Sequence, residues 1–396
     1  MDDLLHRINK IKSDPHAKYN GNEIDYLLEC MDSEDFESKK NPFVQRLEKK
    51  FCDVFGVKYA IAHNSGTSTL HTCLAAAGVG FGDEVISPAH TVIMNATTTL
   101  HQNAIPVFAD INPQHLGMDT KQIISKLNKN TKAVLLTHVQ GFNALSDELL
   151  DELQHSGILL IEDVCESHGA THKGLKLGTF GWASNFSFYY AHHMSTIEGG
   201  VLCTDDPDLY QTFRMLRSHG MVRESSSDTL KNTYEKQYRD LNPDFIFAFP
   251  AYNVRNNEIG AIMGRNQLKR LDENIQLRNR NFKLFLDHLD VSKYRTDFRL
   301  EGSSNYALNL ILQHADIPFT KRLMKRMSDE KIEFRQGSAG GGNQLRQPYL
   351  KKLLGDTYKN YPEVDHIHFH GFYIGNFPSL EEGKIIKLCN ILNSVE

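Results

Sequence analysis

Residues 143–163, NALSDELLDELQHSGILLIED, decide the fold class. Leu145, Leu149, Leu150 and Leu153 fall on one face at helical spacing, Ser146 and Asp147 supply a start signal, and Gly157 supplies a stop. The apolar run that follows reads as a short buried strand ending on Glu162 and Asp163. A crossover helix feeding a buried strand is the repeating unit of a doubly wound sheet.

The same alternation extends outward. YAIAH (59–63), DEVIS (83–87), IPVFADI (105–111), KAVLLTHV (132–139) and GILLIEDV (157–164) are short apolar runs, each followed by a turn and an amphipathic stretch. They predict an α/β fold with a mainly parallel sheet. SNFSFYYAHH (184–193) and GGVLCTDD (199–206) add a strand, an irregular loop and another strand. Residues 1–50 read as a helical entry segment, with Leu4, Leu5, Ile8 and Ile11, then Phe43, Leu47 and Phe51, at helical spacing. Residues 51–266 form the expected large domain, and 267–396 a smaller α+β domain with a helix over 268–289, a strand over 305–312 and a helix near 321–331. No internal repeat or long linker divides the chain.

Composition limits the function. Lys and Arg number 44 against 49 Asp and Glu, a net charge of -5, so there is no basic excess to hold a nucleic acid backbone. With 40% hydrophobic residues the chain has material for a large core. No apolar run approaches the ~18 residues that span a bilayer, and the charged N-terminus lacks a secretory pattern, so a cytoplasmic protein without membrane attachment is expected. The six cysteines are scattered, none closer to another than the 21 positions from Cys52 to Cys73. That spacing argues against a disulfide framework or a zinc ribbon.

Three segments carry candidate chemistry. HNSGTSTLHTCLAAAGV (63–79) follows a strand and opens an Ala-rich helix, so the amides of Gly66 and Thr67 either bind an anion or simply form a capped turn. Asp163 stands at a strand's C-terminal edge, where doubly wound folds bind ligands; it either pairs with a protonated ring nitrogen or caps the next helix. The third segment is FSFYYAHHMSTIEGG (186–200).

This third segment resembles the cofactor segment of the DegT/DnrJ/EryC1 sugar aminotransferases, whose pattern is FSF, three residues, Lys, five residues, EGG. The resemblance extends through NSGTSTL, EDVCESHGA, GTFG, RSHG and AYNVRNNEIGAIMGRNQL, and weakens past residue 300. It implies the type I fold of pyridoxal-phosphate-dependent transferases, a mainly parallel mixed sheet flanked by helices with a smaller C-terminal domain. His192 occupies the position of the Schiff-base lysine. Imidazole has no primary amine and cannot tether the cofactor covalently, yet it is a competent proton shuttle near neutral pH.

That form is similar to the family's sugar 3-dehydratases, which use His as the base. It implies noncovalent pyridoxal 5′-phosphate and pyridoxamine 5′-phosphate, removal of the 3-hydroxyl of a nucleotide-linked 4-keto-6-deoxyhexose, GDP-4-keto-6-deoxy-D-mannose in the first instance, and L-glutamate as amino donor, in deoxysugar synthesis for surface polysaccharides. Gly66, Thr67 and Ser187 are implied phosphate ligands, Asp163 the partner of the pyridine nitrogen, and Asn253 a phosphate ligand from the neighbouring subunit of a homodimer. Glu166, Glu198 and His219 fall in family motifs; for His219 the alternative is a hydrogen-bonded core histidine. Where related dehydratases stack an aromatic residue on the ring, this chain has Val92, so His90, another side chain or a looser fit is expected there.

Other patterns weigh less. His366, His368 and His370 would share a strand face, as a metal site or a histidine strip. The glycine run of 338–343 is a closing loop or a flexible turn, and the Lys and Arg residues of 265–284 read as a solvated helix face. Three functions therefore stay open: a 3-dehydratase carried by His192 with Asp163, Ser187 and Glu198; a sugar aminotransferase tolerating His; and a non-catalytic sugar-nucleotide binding protein. An iron–sulfur dehydrase is set aside, because a cluster needs four converging thiolates.

Overall fold

The structure, a computed structural model, describes His6, Asn9, Tyr19 and residues 22–31 and 42–396. The expected helical entry is described as α1 (Asn22–Met31) and α2 (Pro42–Phe55), while Leu4, Leu5, Ile8 and Ile11 lie outside the described residues. α2 buries Phe43, Leu47 and Phe51, the last stacked on Phe55 with centroids 4.2 Å apart and edge-on to Phe186 at 4.9 Å.

Seven strands, β1 (Tyr59–His63), β2 (Glu84–Pro88), β3 (Ile105–Ala109), β4 (Thr131–Thr137), β5 (Leu159–Asp163), β6 (Ala183–Ser187) and β7 (Gly200–Thr204), form one sheet in the order β1-β7-β6-β5-β4-β2-β3. β7 pairs antiparallel with β1 and β6, and the other neighbours pair in parallel. Successive side chains feed opposite faces: Val134 and Leu136 enter one hydrophobic cluster, Ala133 and Leu135 another. The expected crossover helix is Asp147–Ser156, capped by Ser146 at its start and by left-handed Gly157 at its end.

The C-terminal part builds a three-stranded antiparallel sheet, β8 (Ala307–Ile311), β9 (Phe334–Gln336) and β10 (Gly371–Gly375), in the order β8-β10-β9. Its core also takes in Ala89, Phe108, Val139 and Phe142 from the first sheet's flank, so the two parts share buried apolar surface.

Two readings of this region are corrected. The helix Leu271–His288 is not solvated throughout: Arg278 lies on the stripe of Leu271, Ile275, Phe282 and Phe285, and its buried guanidinium donates to the carbonyls of Tyr306 and Asn376. His366, His368 and His370 share no strand face, because Pro362–His370 is a helix. There, residues two apart point to different sides, and each imidazole has its own partner: the Leu312 carbonyl, the Asn343 amide and the Thr320 hydroxyl. Among the described residues no cluster of three or more potential metal ligands occurs. Nor is any helix among them long and apolar enough to cross a membrane.

One buried acid organises the sheet's middle. Glu162, pointing to the face opposite Asp163, accepts N–H bonds from Gly178 (2.9 Å), Phe180 (2.8 Å) and Gly181 (2.8 Å), with His138 Nε2 3.3 Å away. It thereby anchors the GTFG loop leading into β6. Glu162→Gln leaves one of these amides facing an N–H₂ group and is expected to cost about 2–4 kcal/mol, read as a lower urea midpoint; an unchanged midpoint would refute the anchoring role.

Candidate active site

The site forms where β4, β5 and β6 end. Register places Thr137 beside Asp163 and Asp163 beside Asn185, with Ser187 two residues further along the same face. Asp163 is buried; its carboxylate accepts from the Thr137 hydroxyl (3.2 Å), the Cys165 amide (3.2 Å) and the Asn185 side-chain amide (3.3 Å). These donors orient the carboxylate at the strand edge, where no helix starts for it to cap.

The helix α3 (Gly66–Ala76) supplies the second wall. Ser65 caps it and forms a reciprocal capping box with Ser68. A Cβ on Gly66 would fall 2.6 Å from Ser187 Cβ and 3.1 Å from Cys165 Sγ, so only glycine lets the helix start this close to β6. The free amides and dipole of its first turn favour an anion. Thr67 is exposed there, with its hydroxyl 3.6 Å from Met94 Sδ. Gly200 serves the same approach, since a Cβ would meet the Ser65 carbonyl at 2.6 Å.

Between β6 and β7 the chain loops through Tyr189–His192–His193. Tyr189 N–H donates to Ser187 Oγ (3.3 Å) and His192 N–H to the Tyr189 carbonyl (3.0 Å). The half-buried His192 ring has the rings of Tyr189, His168 and Tyr306 at 5.9–6.0 Å, and its Nδ1 is turned into the protein. His193 is buried, bonds the Ser304 carbonyl through Nε2 at 3.0 Å, and is held neutral by burial and by Arg278, His168 and His192 nearby. Glu166 accepts from the Gln140 amide (2.9 Å), and burial, reinforced by Asp163, pushes its carboxyl up to about 7.

Gly66, Asp163, Glu166, Ser187 and His192 thus converge in one chain, with Thr67 at the helix start. Asn253 does not join them: it is exposed, its backbone paired with Ser218, and no hydrogen bond ties it to the group among the described residues. Glu198 is also exposed, and its carbonyl accepts from Thr196 Oγ1 (2.7 Å). His219 is exposed and in left-handed conformation (φ 63°), which rules out the core-histidine alternative. His90 cannot cover a ring in the site, since it is fully buried and bridges Leu116 to the glycine run, with Nε2 3.2 Å from the Gly337 carbonyl and 3.1 Å from the Ala339 amide. Val92 is 40% exposed. The glycine run is clamped, for a Cβ on Gly340 would meet the Thr91 carbonyl at 2.0 Å.

Sequence reasoning missed Tyr306, Gln140, Thr137 and Asn185. Thr137 and Asn185 follow from strand register once Asp163 is known. Gln140, at φ 57° just before left-handed Gly141, has a weak local signal in that glycine. Tyr306 comes from another part of the chain and has none.

The fold agrees with the comparisons. A GDP-perosamine synthase of Caulobacter vibrioides is 36% identical over 263 residues, 66% of either chain. A GDP-4-keto-6-deoxy-D-mannose 3-dehydratase of Yersinia pseudotuberculosis is 30% identical over 93% of this chain and 95% of its own. The crystal structure of a GDP-4-keto-6-deoxymannose-3-dehydratase with a trapped PLP-glutamate geminal diamine superposes with a TM-score of 0.78 at 28% identity, covering 88% of this chain and 92% of that one. Residues 18–393 match the DegT/DnrJ/EryC1/StrS aminotransferase family, and the chain belongs to it.

Proposed function

We propose that this protein is a pyridoxal/pyridoxamine phosphate-dependent 3-dehydratase of a nucleotide-linked 4-keto-6-deoxyhexose, GDP-4-keto-6-deoxy-D-mannose first among candidates, with L-glutamate as amino donor. The observation that carries it is the imidazole of His192 on the loop after β6, in a stretch where no lysine occurs between Lys176 and Lys231. A transaminating relative works through a lysine imine; here the group available is a proton carrier without an amine.

The residues present fit the cofactor. The oriented, buried carboxylate of Asp163 suits a protonated pyridine nitrogen, and the cradle that a Cβ at Gly66 would fill suits a phosphate on the first turn of α3. Gly66, Thr67 and Ser187 would hold the phosphate, joined by Asn253 of a neighbouring subunit in a homodimer. Glu166 would add a polar contact beside the ring.

When bound, the cofactor would supply the amine that joins the 4-keto carbon and a conjugated ring that takes up the electrons left by its methylene proton and returns them to expel the 3-hydroxyl. His192, with Nδ1 turned inward, would move the proton through Nε2 from the cofactor's methylene to the leaving oxygen, and would carry a proton again in the glutamate half-reaction. Tyr189, His168 and Tyr306 hold the imidazole for that task. Transamination, the activity in the family's name, is the competing reading.

The test is mass spectrometry of protein incubated with pyridoxal phosphate, L-glutamate and GDP-4-keto-6-deoxymannose. A product lighter by an oxygen atom, with ammonia released, is expected; an amino group in place of the keto oxygen would make the enzyme an aminotransferase. His192→Asn is expected to abolish turnover, a loss of at least about 100-fold, while cofactor binding persists, and a fully active variant would remove His192 as the base. His192→Lys places an amine within reach of the cofactor's aldehyde, so borohydride reduction should leave a cofactor-derived mass on residue 192; its absence would contradict the cofactor's placement.

A further inference from the structure

The small C-terminal part delivers one unassigned side chain to the catalytic loop. Tyr306 lies just before β8, and its peptide is held from two directions. Its N–H donates to the Gln140 carbonyl (3.0 Å) beside Glu166, and its own carbonyl accepts from Arg278 (2.8 Å), itself buried in the helix Leu271–His288. The preceding residue, Asn305, takes a left-handed conformation (φ 43°) and donates its side-chain amide to Asn279 (2.8 Å), which fixes the direction in which Tyr306 leaves the backbone.

So directed, the Tyr306 ring lies 5.9 Å from His192, 5.8 Å from His193 and 6.4 Å from Tyr373, centroid to centroid. Tyr306 and Tyr189, the latter edge-on to His192 and 49% exposed, flank the imidazole, with Tyr373 behind Tyr306. The Tyr306 side chain is only partly covered, and its hydroxyl has no hydrogen-bond acceptor among the described protein groups. Burial and the Glu166 carboxylate hold the phenol in its protonated form, so it remains a donor at working pH. A half-buried donor left without a protein partner is at its most favourable when a ligand oxygen takes it.

We propose that Tyr306 is a further substrate-contacting residue: its ring packs His192 in place, and its hydroxyl donates a hydrogen bond to an oxygen of the bound hexose. The inference rests on the dehydratase reading of His192 and extends it by naming the group that reads the sugar on the small-domain side. A hexose offers hydroxyl and carbonyl acceptors together with C–H faces, which suits a pair of phenols better than it suits the charged, flexible chain of glutamate.

The experiment uses holoenzyme and separates two reactions: dehydration of the nucleotide-linked 4-keto sugar, and the glutamate-driven conversion of the cofactor, followed by absorbance with no sugar present. Tyr306→Phe, which keeps the ring, is expected to raise KM for the sugar nucleotide about tenfold, a clearly larger effect than on the glutamate reaction. Tyr306→Ala, which removes ring and hydroxyl, is expected to slow both and to broaden the pH profile assigned to His192. An unchanged KM in Tyr306→Phe, or an equal loss in both reactions, would overturn the contact with sugar. Failure of the unaltered enzyme to dehydrate the sugar would instead overturn the dehydratase reading, and this inference with it.

Discussion

The absence of a side chain at Gly66 is the constraint on which the site depends. Because a Cβ there would come within 2.6 Å of Ser187 Cβ, glycine alone allows the first turn of α3 to rest against the end of β6. That contact brings the first-turn amides to the edge where Asp163 ends β5, so a helix start whose dipole favours an anion and a buried carboxylate lie on one side of the sheet. Gly200 repeats the device on β7, where the Ser65 carbonyl occupies the space of a Cβ. The close approach is steric in origin, and the electrostatics of the site follow from it.

Three acids within five residues then acquire three different roles. Glu162 faces away from the site and spends its lone pairs on the amides of the GTFG loop. Asp163, one residue later and so on the other face, is oriented by a hydroxyl, a backbone amide and a side-chain amide. Glu166 lies beyond the strand with one amide donor, and burial raises its carboxyl to about 7. The pleat separates the first two, and the turn after β5 separates the third.

The small C-terminal part is bound to this edge by packing and by specific polar contacts. His90 ties the strand end after β2 to the glycine run, and Gly340 presses on the Thr91 carbonyl. Arg278 and Gln140 hold Tyr306 against His192 from opposite sides. Residues more than a hundred positions apart therefore share one imidazole, and the orientation of that imidazole depends on how the two sheets are docked.

Local pattern carried the doubly wound sheet, the crossover helix with its Ser146 and Gly157 caps, and the strand ends that hold Asp163 and Ser187. Period, capping and turn chemistry act over a few residues and need no tertiary partner. The position of His192 was also legible, because its spacing from FSF and EGG is a property of the chain. Tertiary structure decided the rest. Arg278 entered the core because it lies on a helix stripe whose neighbours are apolar; His366, His368 and His370 went to a helix because Pro362 opens one and each imidazole finds a separate acceptor or donor. His90 and Tyr306 carried no local mark, since their roles come from contacts across 247 and 114 positions, to Gly337 and His192. Such contacts are decided by the docking of packed surfaces, which a linear pattern does not encode locally.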